Sequence, residues 1–233
     1  MTQCRQPPHN PFSWYLFESM APKRDWYRYE EWDDEIEREF FARLNRARSQ
    51  RDQYLAIQAL TLAETHPEVA IRLAQHYFKT RTSEFNDSRV LAAQGDAYRA
   101  LGNTRDALAS YQAALDRQRE FPNLIAVSGT AVAYYIATEK LSDQYDLARS
   151  LLENESEGSI WPVAVFSWNA AMALILSAEG NTEVARRYSL GALEAASVRK
   201  TELSYHPELG IVDESFAPII EQLKKIATKT DLQ

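Results

Sequence analysis

Two stretches of the chain repeat each other. LGNTRDALASYQAAL runs from Leu101 to Leu115, and EGNTEVARRYSLGAL runs from Glu179 to Leu193. Aligned without a gap, they share Gly-Asn-Thr, the alanines Ala107 and Ala185, and a closing Ala-Leu pair. The shared glycines stand 78 residues apart, which is about two units of a helical-hairpin repeat. An internal repeat of this period restricts the fold more than any other feature of the sequence.

Two weaker copies fill the gaps between these stretches. HPEVAIRLAQHYF places Ala70 where the stronger copies have their alanine, and SDQYDLARSLL places Ala148 there. The four alanines are separated by 37, 41 and 37 residues. Since an apolar stretch of helical length precedes each of them, the spacing predicts four helix–turn–helix units. The units cover about residues 50–80, 87–119, 123–155 and 161–199 within an array over 49–199.

The residue types at the repeat positions have physical reasons. Alanine at a helix crossing lets the two helices of a hairpin approach closely. Gly102 and Gly180 are expected to take the left-handed conformation that ends the first helix, and Thr104 and Thr182 are expected to cap the second. Pro67 stands where the second helix of the first unit should begin.

Composition agrees with helices and limits the class of protein. Seven glycines in 233 residues is below the average of about 7%, and no strand pattern competes, so we expect an all-α fold. The net charge of −7, with Lys and Arg interleaved with Asp and Glu, leads us to expect no basic patch and no nucleic-acid partner. It mildly favours a basic partner. The single cysteine, Cys4, and an N-terminus without an apolar run fit a cytoplasmic protein.

Residues Ser88 to Phe121 resemble a tetratricopeptide repeat (TPR). The positions that match the family pattern are Gly95, Tyr98, Gly102, Ala107, Tyr111 and Ala114. The unit from Val165 to Arg199 matches at Ala173, Gly180, Ala185 and Ala192. The two other units match in outline only, and the resemblance covers roughly Gln50 to Arg199.

The resemblance implies a right-handed α-solenoid of about four repeats, in which the first helix of each hairpin (helix A) lines a concave groove for a protein or peptide segment. The family's clamp for a C-terminal carboxylate is absent, since its lysine and asparagine positions hold Ala92, Asp96, Ala170 and Leu174. The uncharged A helices of the third and fourth units are either buried or form a neutral groove for an apolar or aromatic ligand. The candidate groove residues are Arg89, Asp96, Arg99, Tyr134 and Asn169.

A solenoid needs a cover at both ends. DDEIEREFFARLNRA reads as an N-terminal capping helix over 33–48, with Asp33 or Asp34 as its N-cap. Residues 200–233 are predicted to hold a loop and a C-terminal capping helix that starts from Asp213.

The segment 1–32 is rich in aromatic residues, eight of which lie between Asn10 and Trp32. Three interpretations stay open: a lid over the core, an exposed surface for a partner, or a membrane anchor. As a partner-binding surface its candidate residues are Trp14, Tyr15, Phe17, Trp26, Tyr27 and Tyr29.

No pattern in the sequence indicates an enzyme. The histidines, His9, His66, His76 and His206, have no metal-ligand spacing, and no nucleophile or phosphate-binding motif occurs. We therefore expect no catalytic, cofactor-binding or metal-binding residues. The uncharged stretch from Gly158 to Ala178 is long enough to span a bilayer, but it contains Pro162 and Asn169, so a buried helix is expected instead.

The sequence thus favours a non-catalytic module that binds a protein or peptide, an adaptor or scaffold whose partner is basic or apolar and aromatic. A toxin-neutralising immunity protein or a secretion-type chaperone would use the same surfaces. Another alternative is a homodimeric structural or assembly protein, in which the aromatic segment pairs two copies. Peripheral attachment to a membrane is a further alternative.

Overall fold

The computed structural model describes residues 25–155, 160–201 and 208–228. Every regular element in these ranges is helical: ten α-helices and two short 3-10 helices. The all-α prediction is therefore confirmed. The described residues before Ser128 form one compact unit, and those from Ser128 onward form another.

The first unit contains five helices. Their bounds are α1 Asp34–Arg46, α2 Arg51–Leu62, α3 Pro67–Thr80, α4 Asp87–Ala100 and α5 Thr104–Glu120. Helix α2 packs against α3 and α4, α3 packs against α4, and α4 packs against α5. The two helices of each hairpin therefore contact each other, and the first hairpin contacts the second.

The second unit repeats this order of contacts. Its helices are α6 Gly129–Thr138, α7 Tyr145–Asn154, α8 Pro162–Ala178, α9 Thr182–Ser197 and α10 Ala217–Thr228. Helix α6 packs against α7 and α8, α8 packs against α9, and α10 packs against α9 and α8. The right-handed superhelix itself stays a prediction.

The helix ends follow the expected chemistry with one correction. Asp33 caps α1 by accepting hydrogen bonds from the backbone N–H groups of Glu35 and Ile36, both at 2.8 Å, and Pro67 begins α3. Gly102 and Gly180 have φ values of 71° and 82°, in the left-handed region that glycine tolerates best.

The expected caps Thr104 and Thr182 are wrong, because both are already the first helical residue of α5 and α9. The cap of α5 is Asn103, whose side chain accepts a hydrogen bond from the backbone N–H of Asp106. Asp213 caps the 3-10 helix Glu214–Phe216, so α10 begins only at Ala217.

The four alanines that define the repeat are all completely buried. Ala70, Ala107, Ala148 and Ala185 each have 0% of their surface exposed. They lie on α3, α5, α7 and α9, the second helix of each hairpin. A methyl side chain at these points leaves room for the partner helix at close range.

The uncharged helices are buried. Every residue of α6 from Gly129 to Ala137 is buried, and so is more than half of α8. No helix in the described ranges is long and apolar enough to cross a membrane.

Helices α4 and α5 meet at a glycine. A Cβ atom built on Gly95 would lie 2.5 Å from Cε1 of Tyr111, closer than any real Cβ contact. The Tyr111 ring is 1% exposed, and its hydroxyl donates a hydrogen bond of 2.7 Å to Oδ1 of Asp96. The ring is therefore held in place over Gly95 and has little freedom to move aside.

A buried carboxylate joins α3, α4 and α5. Asp87 is 3% exposed and accepts a hydrogen bond of 2.9 Å from the Tyr77 hydroxyl. The guanidinium groups of Arg81 and Arg117 approach the same carboxylate at 2.9 and 3.2 Å. A buried charge with these three partners fixes the relative position of the three helices, because shifting any one helix would weaken the compensation of the charge.

The contact at Gly95 gives a first prediction. Gly95→Ala should lower the free energy of unfolding by about 1–3 kcal/mol, the usual cost of overpacking a core. Helix propensity alone would raise it by about 1 kcal/mol. Urea denaturation followed by circular dichroism distinguishes the two, and a variant more stable than the parent chain would contradict the close contact.

Candidate partner-binding surfaces

The predicted aromatic surface is described only in part. Trp14, Tyr15 and Phe17 lie outside the described residues. Trp26, Tyr27 and Tyr29 are half-buried and pack against the core formed by α1 to α4. For residues 25–32, these contacts bear on the lid interpretation.

The rings of this segment contact α1 and α2. The Trp26 ring centroid lies 5.7 Å from that of Phe40 and 4.8 Å from that of Tyr54. Tyr27 stacks on Tyr54 at 4.6 Å, and Trp32 meets Phe40 edge-on at 5.5 Å. Aromatic pairs at these separations are favourable beyond the area they bury.

A buried glutamine holds the backbone of the segment. Gln58 on α2 is completely buried. Its side-chain amide donates a hydrogen bond of 2.7 Å to the carbonyl oxygen of Tyr29 and accepts one of 2.9 Å from the N–H of the same residue. The half-buried rings of residues 25–32 therefore pack over the α1–α2 core as part of the fold.

Two of the candidate groove residues on α4 are engaged within the protein. Asp96 is 6% exposed and accepts the hydrogen bond from Tyr111. Burial, together with the Asp96 charge, raises the pKa of Tyr111. Arg99 donates to Oε1 of Glu64, in the turn between α2 and α3. These side chains join neighbouring helices.

Arg89 lies on the same face of α4 and is less constrained. It is half-buried, and Nη1 makes a long hydrogen bond of 3.4 Å to Oδ1 of Asn86. Its Nε is buried and has no hydrogen-bond partner within the described part of the chain.

The two candidates in the second unit differ from each other. Tyr134 is 5% exposed, and its ring lies 6.3 Å from Phe166 and 6.1 Å from Phe216. Burial raises its pKa, so it is a core residue. Asn169 is half-buried on α8 and donates a hydrogen bond of 2.9 Å to the carbonyl oxygen of Val165.

A surface that the sequence interpretation missed lies at the end of α1. A depression of about 520 Å³ is lined by Trp26, Arg43, Arg46, Ala47 and Tyr54. We call it the arginine–aromatic depression. It stands beside a basic stretch, RLNRARSQR, whose four arginines occur within nine residues without an acid among them: Arg43, Arg46, Arg48 and Arg51. The expectation that the chain has no basic patch is therefore wrong.

The charge of this stretch acts on a nearby histidine. His76 on α3 meets Phe41 of α1 at 5.2 Å between ring centroids. Burial, followed by the positive charges of Arg51 and Lys79, lowers the pKa of His76 below its ordinary value of 6.5. Asp52 is the acid next to Arg51 in the sequence. Its carboxylate is engaged elsewhere, since Oδ2 accepts hydrogen bonds from the N–H groups of Thr82 and Ser83 at 2.8 and 3.1 Å.

Metal-ligating side chains do not gather in the described residues. No group of three or more His, Cys, Asp or Glu side chains in this part of the chain could hold a metal ion. His66 precedes α3, where Nδ1 lies 3.1 Å from the Thr65 hydroxyl. Its position at the start of a helix is the one that the His-Pro-Glu sequence indicates.

Comparisons of the chain with protein-family models, with curated proteins and with solved structures find no match. The accessible candidate surfaces are the α4 face around Arg89, the α8 face at Asn169, and the arginine–aromatic depression.

The two hydrogen bonds between the Gln58 side chain and the Tyr29 backbone, called here the Gln58 clamp, give a second prediction. Gln58→Leu removes both hydrogen bonds to the segment, and at about 1 kcal/mol for each bond the free energy of unfolding should fall by about 2 kcal/mol. The matched control is Gln53→Leu, since Gln53 lies exposed on the same helix. Urea denaturation followed by tryptophan fluorescence provides the measurement. Equal effects of the two substitutions would show that the clamp does not hold the segment.

A third prediction concerns His76. The folded chain should bind its proton less readily than the unfolded chain does. The free energy of unfolding is therefore not reduced by His76 above about pH 6.5, and it falls as the pH drops from 6.5 through the lower pKa of His76 in the folded chain. Arg51→Gln should raise the His76 pKa, whereas Arg105→Gln on α5 should leave it unchanged. An NMR titration of the His76 ring protons measures both, and an unchanged pKa in Arg51→Gln would contradict the proposed charge effect.

Proposed function

We propose that the protein is a non-catalytic, TPR-like module that binds a protein or peptide segment through its A helices. The observation that carries the proposal is the order of helix contacts. In each unit, the first helix of one hairpin packs against its own partner and against the first helix of the next hairpin. Helices arranged in this way lie with their A helices side by side, which is how repeat proteins form extended binding faces. Since α6 is buried in the second unit, the proposed face is that of the A helices in the first unit.

Local geometry supports the resemblance on which the proposal draws. Gly95, Tyr111 and Gly102 occupy the family's characteristic positions in the second hairpin. Tyr111 packs directly over Gly95, and Gly102 ends α4 in the left-handed conformation. Complete burial of the four aligned alanines supports a common register for all four hairpins.

The proposed binding face in the first unit centres on α4. Arg89, Asp96 and Arg99 are seven and three residues apart, so they lie on one face of the helix. Asp96 and Arg99 hold the hairpins together there, whereas Arg89 has a guanidinium group with few internal bonds. Arginine is frequent among residues that dominate binding energies. We therefore assign the contact with a partner to Arg89 and the positioning role to Asp96.

Photo-crosslinking tests this assignment and gives a fourth prediction. Benzoylphenylalanine placed at position 89 should capture one partner of defined mass in native lysate, because this side chain lies on the proposed face. The same probe at position 119 is the control, since Arg119 on α5 is well exposed and pairs only with Asp116 among the described residues. Arg89→Ala should weaken binding of the captured partner by about tenfold, typical of a substantial interface residue. Equal crosslinking from both positions, or none from a folded chain, would contradict the proposal.

A further inference from the structure

We propose that the arginine–aromatic depression binds an acidic protein segment that carries an aromatic or large apolar side chain. The inference rests on the proposed function, because it names the chemistry of a protein partner, but it uses a surface other than the α4 face. Four observations support it: local charge, the position of that charge on the helices, its lack of internal compensation, and the aromatic wall.

Positive charge is concentrated here, although the protein as a whole is negatively charged. The protein carries a net charge of −7, yet the interval from Phe40 to Arg51 holds four arginines and no acid. Two of these arginines, Arg43 and Arg46, line the depression itself. A local positive field on an acidic protein selects partners whose charge is negative at that point.

Helix stability explains only part of this pattern. Cations are favoured in the last turn of a helix, which accounts for Arg43 and Arg46 at the end of α1. Arg48 lies beyond that helix, and Arg51 is the first residue of α2. A positive charge at a helix N-terminus is unfavourable, because the helix dipole is positive there. Placing a cation at Arg51 therefore works against the fold.

Three of the four arginines are left without an acidic partner among the described residues. Arg43 pairs with Glu39 on the same helix. Arg46 donates from Nε to the carbonyl oxygen of Ala42 at 3.1 Å. Within the described ranges, neither it nor Arg48 nor Arg51 forms an ion pair with an acid, and Asp52 is occupied by the backbone at Thr82 and Ser83. Guanidinium groups in this condition are ready to bind a carboxylate in the two-bond geometry that suits it.

The aromatic wall, formed by Trp26 and Tyr54, favours an aromatic or large apolar side chain in the ligand. Trp26 and Tyr54 are half-buried, with their ring centroids 4.8 Å apart, and their accessible edges face the depression. The depression has a volume of about 520 Å³ and is broadly open to solvent, so it offers a shallow seat for one side chain rather than an enclosed pocket. One aromatic side chain with a neighbouring carboxylate would use both the rings and the arginines.

A short acidic segment fits better than a nucleic acid. A polyanion would extend past the arginines and meet the negative charge of the rest of the molecule, and affinity for nucleic acids depends on neutralising many phosphates. A protein segment needs only two or three carboxylates at this site. It also supplies the apolar side chain that the Trp26–Tyr54 wall favours.

The test uses the full chain and fluorescein-labelled peptides in an anisotropy titration. The probe is a short peptide of Asp and Glu around one Trp. Two companion peptides replace the Trp with Ala, or the acids with Lys. We expect binding of the acidic peptide with Trp, at least about tenfold weaker binding of the other two, and weakening as salt rises, because exposed charges are screened.

Substitutions then locate the site. Arg43→Glu combined with Arg46→Glu should raise the Kd at least about tenfold, because two guanidinium groups are replaced by like charges. The matched control is Arg105→Glu combined with Arg119→Glu, which makes the same charge change on α5 of the same unit. If the first pair disturbs folding by circular dichroism, Arg46→Glu combined with Arg48→Glu replaces it, since both side chains are exposed and Arg48 lies outside the helices.

Several outcomes would overturn the inference. These are no binding of the acidic peptide with Trp, preference for the basic peptide, equal effects of the two charge-reversed pairs, or tighter binding of a single-stranded oligonucleotide at the same arginines. Failure here is distinct from failure of the proposed function. If a partner is crosslinked at position 89 but the acidic peptide does not bind at the depression, only the inference is rejected. Peptide binding without capture at position 89 would reject the α4 face alone.

Discussion

Close approach of paired helices, made possible by small residues where they cross, is the constraint on which the rest of the structure depends. Ala107 lies on α5 without exposed surface, and Gly95 on α4 leaves no room for a Cβ atom. Only at this separation does the Tyr111 hydroxyl reach the Asp96 carboxylate at 2.7 Å. A larger residue at the crossing would both overpack the core and separate the donor from its acceptor.

Polar side chains inside the first unit then fix the relative positions of segments that apolar contacts alone would allow to shift. Asp87 joins three helices through Tyr77, Arg81 and Arg117. Gln118 on α5 accepts hydrogen bonds from the N–H groups of Ala126 and Val127 at 2.6 and 2.7 Å and so holds the chain that follows the helix. Apolar packing tolerates many small shifts, whereas a buried hydrogen-bonded group has few acceptable positions.

The sequence predicts the elements that depend on local or repeated signals. The all-α class follows from composition, and the glycine ends of α4 and α8 follow from the shared Gly-Asn-Thr. The cap of α5 differs from the expected one by a single residue, because Asn103 and Thr104 are both good caps and only the start of the helix distinguishes them.

Contacts between distant residues escape sequence reasoning. Gln58 bonds to Tyr29 across 29 residues, and Asp52 bonds to Thr82 across 30, and no local pattern indicates either pairing. The basic stretch at Arg43 to Arg51 was visible in the sequence. A charge balance taken over 233 residues hides such a concentration within nine. The role proposed for this stretch depends on the Trp26 and Tyr54 rings beside it, which only the fold brings there.

The first turn of α6 shows how one unit gains cooperativity. This helix has no acidic residue of its own in that turn, yet Glu155, just after α7, accepts hydrogen bonds from the N–H groups of Gly129 and Thr130. A carboxylate there offsets the positive end of the helix dipole. The α6–α7 hairpin is thus joined at one end by its turn and at the other end by these hydrogen bonds to Glu155. Fraying of either helix would break the same bonds, so α6 and α7 should exchange their amide hydrogens through one shared opening event, as a single foldon.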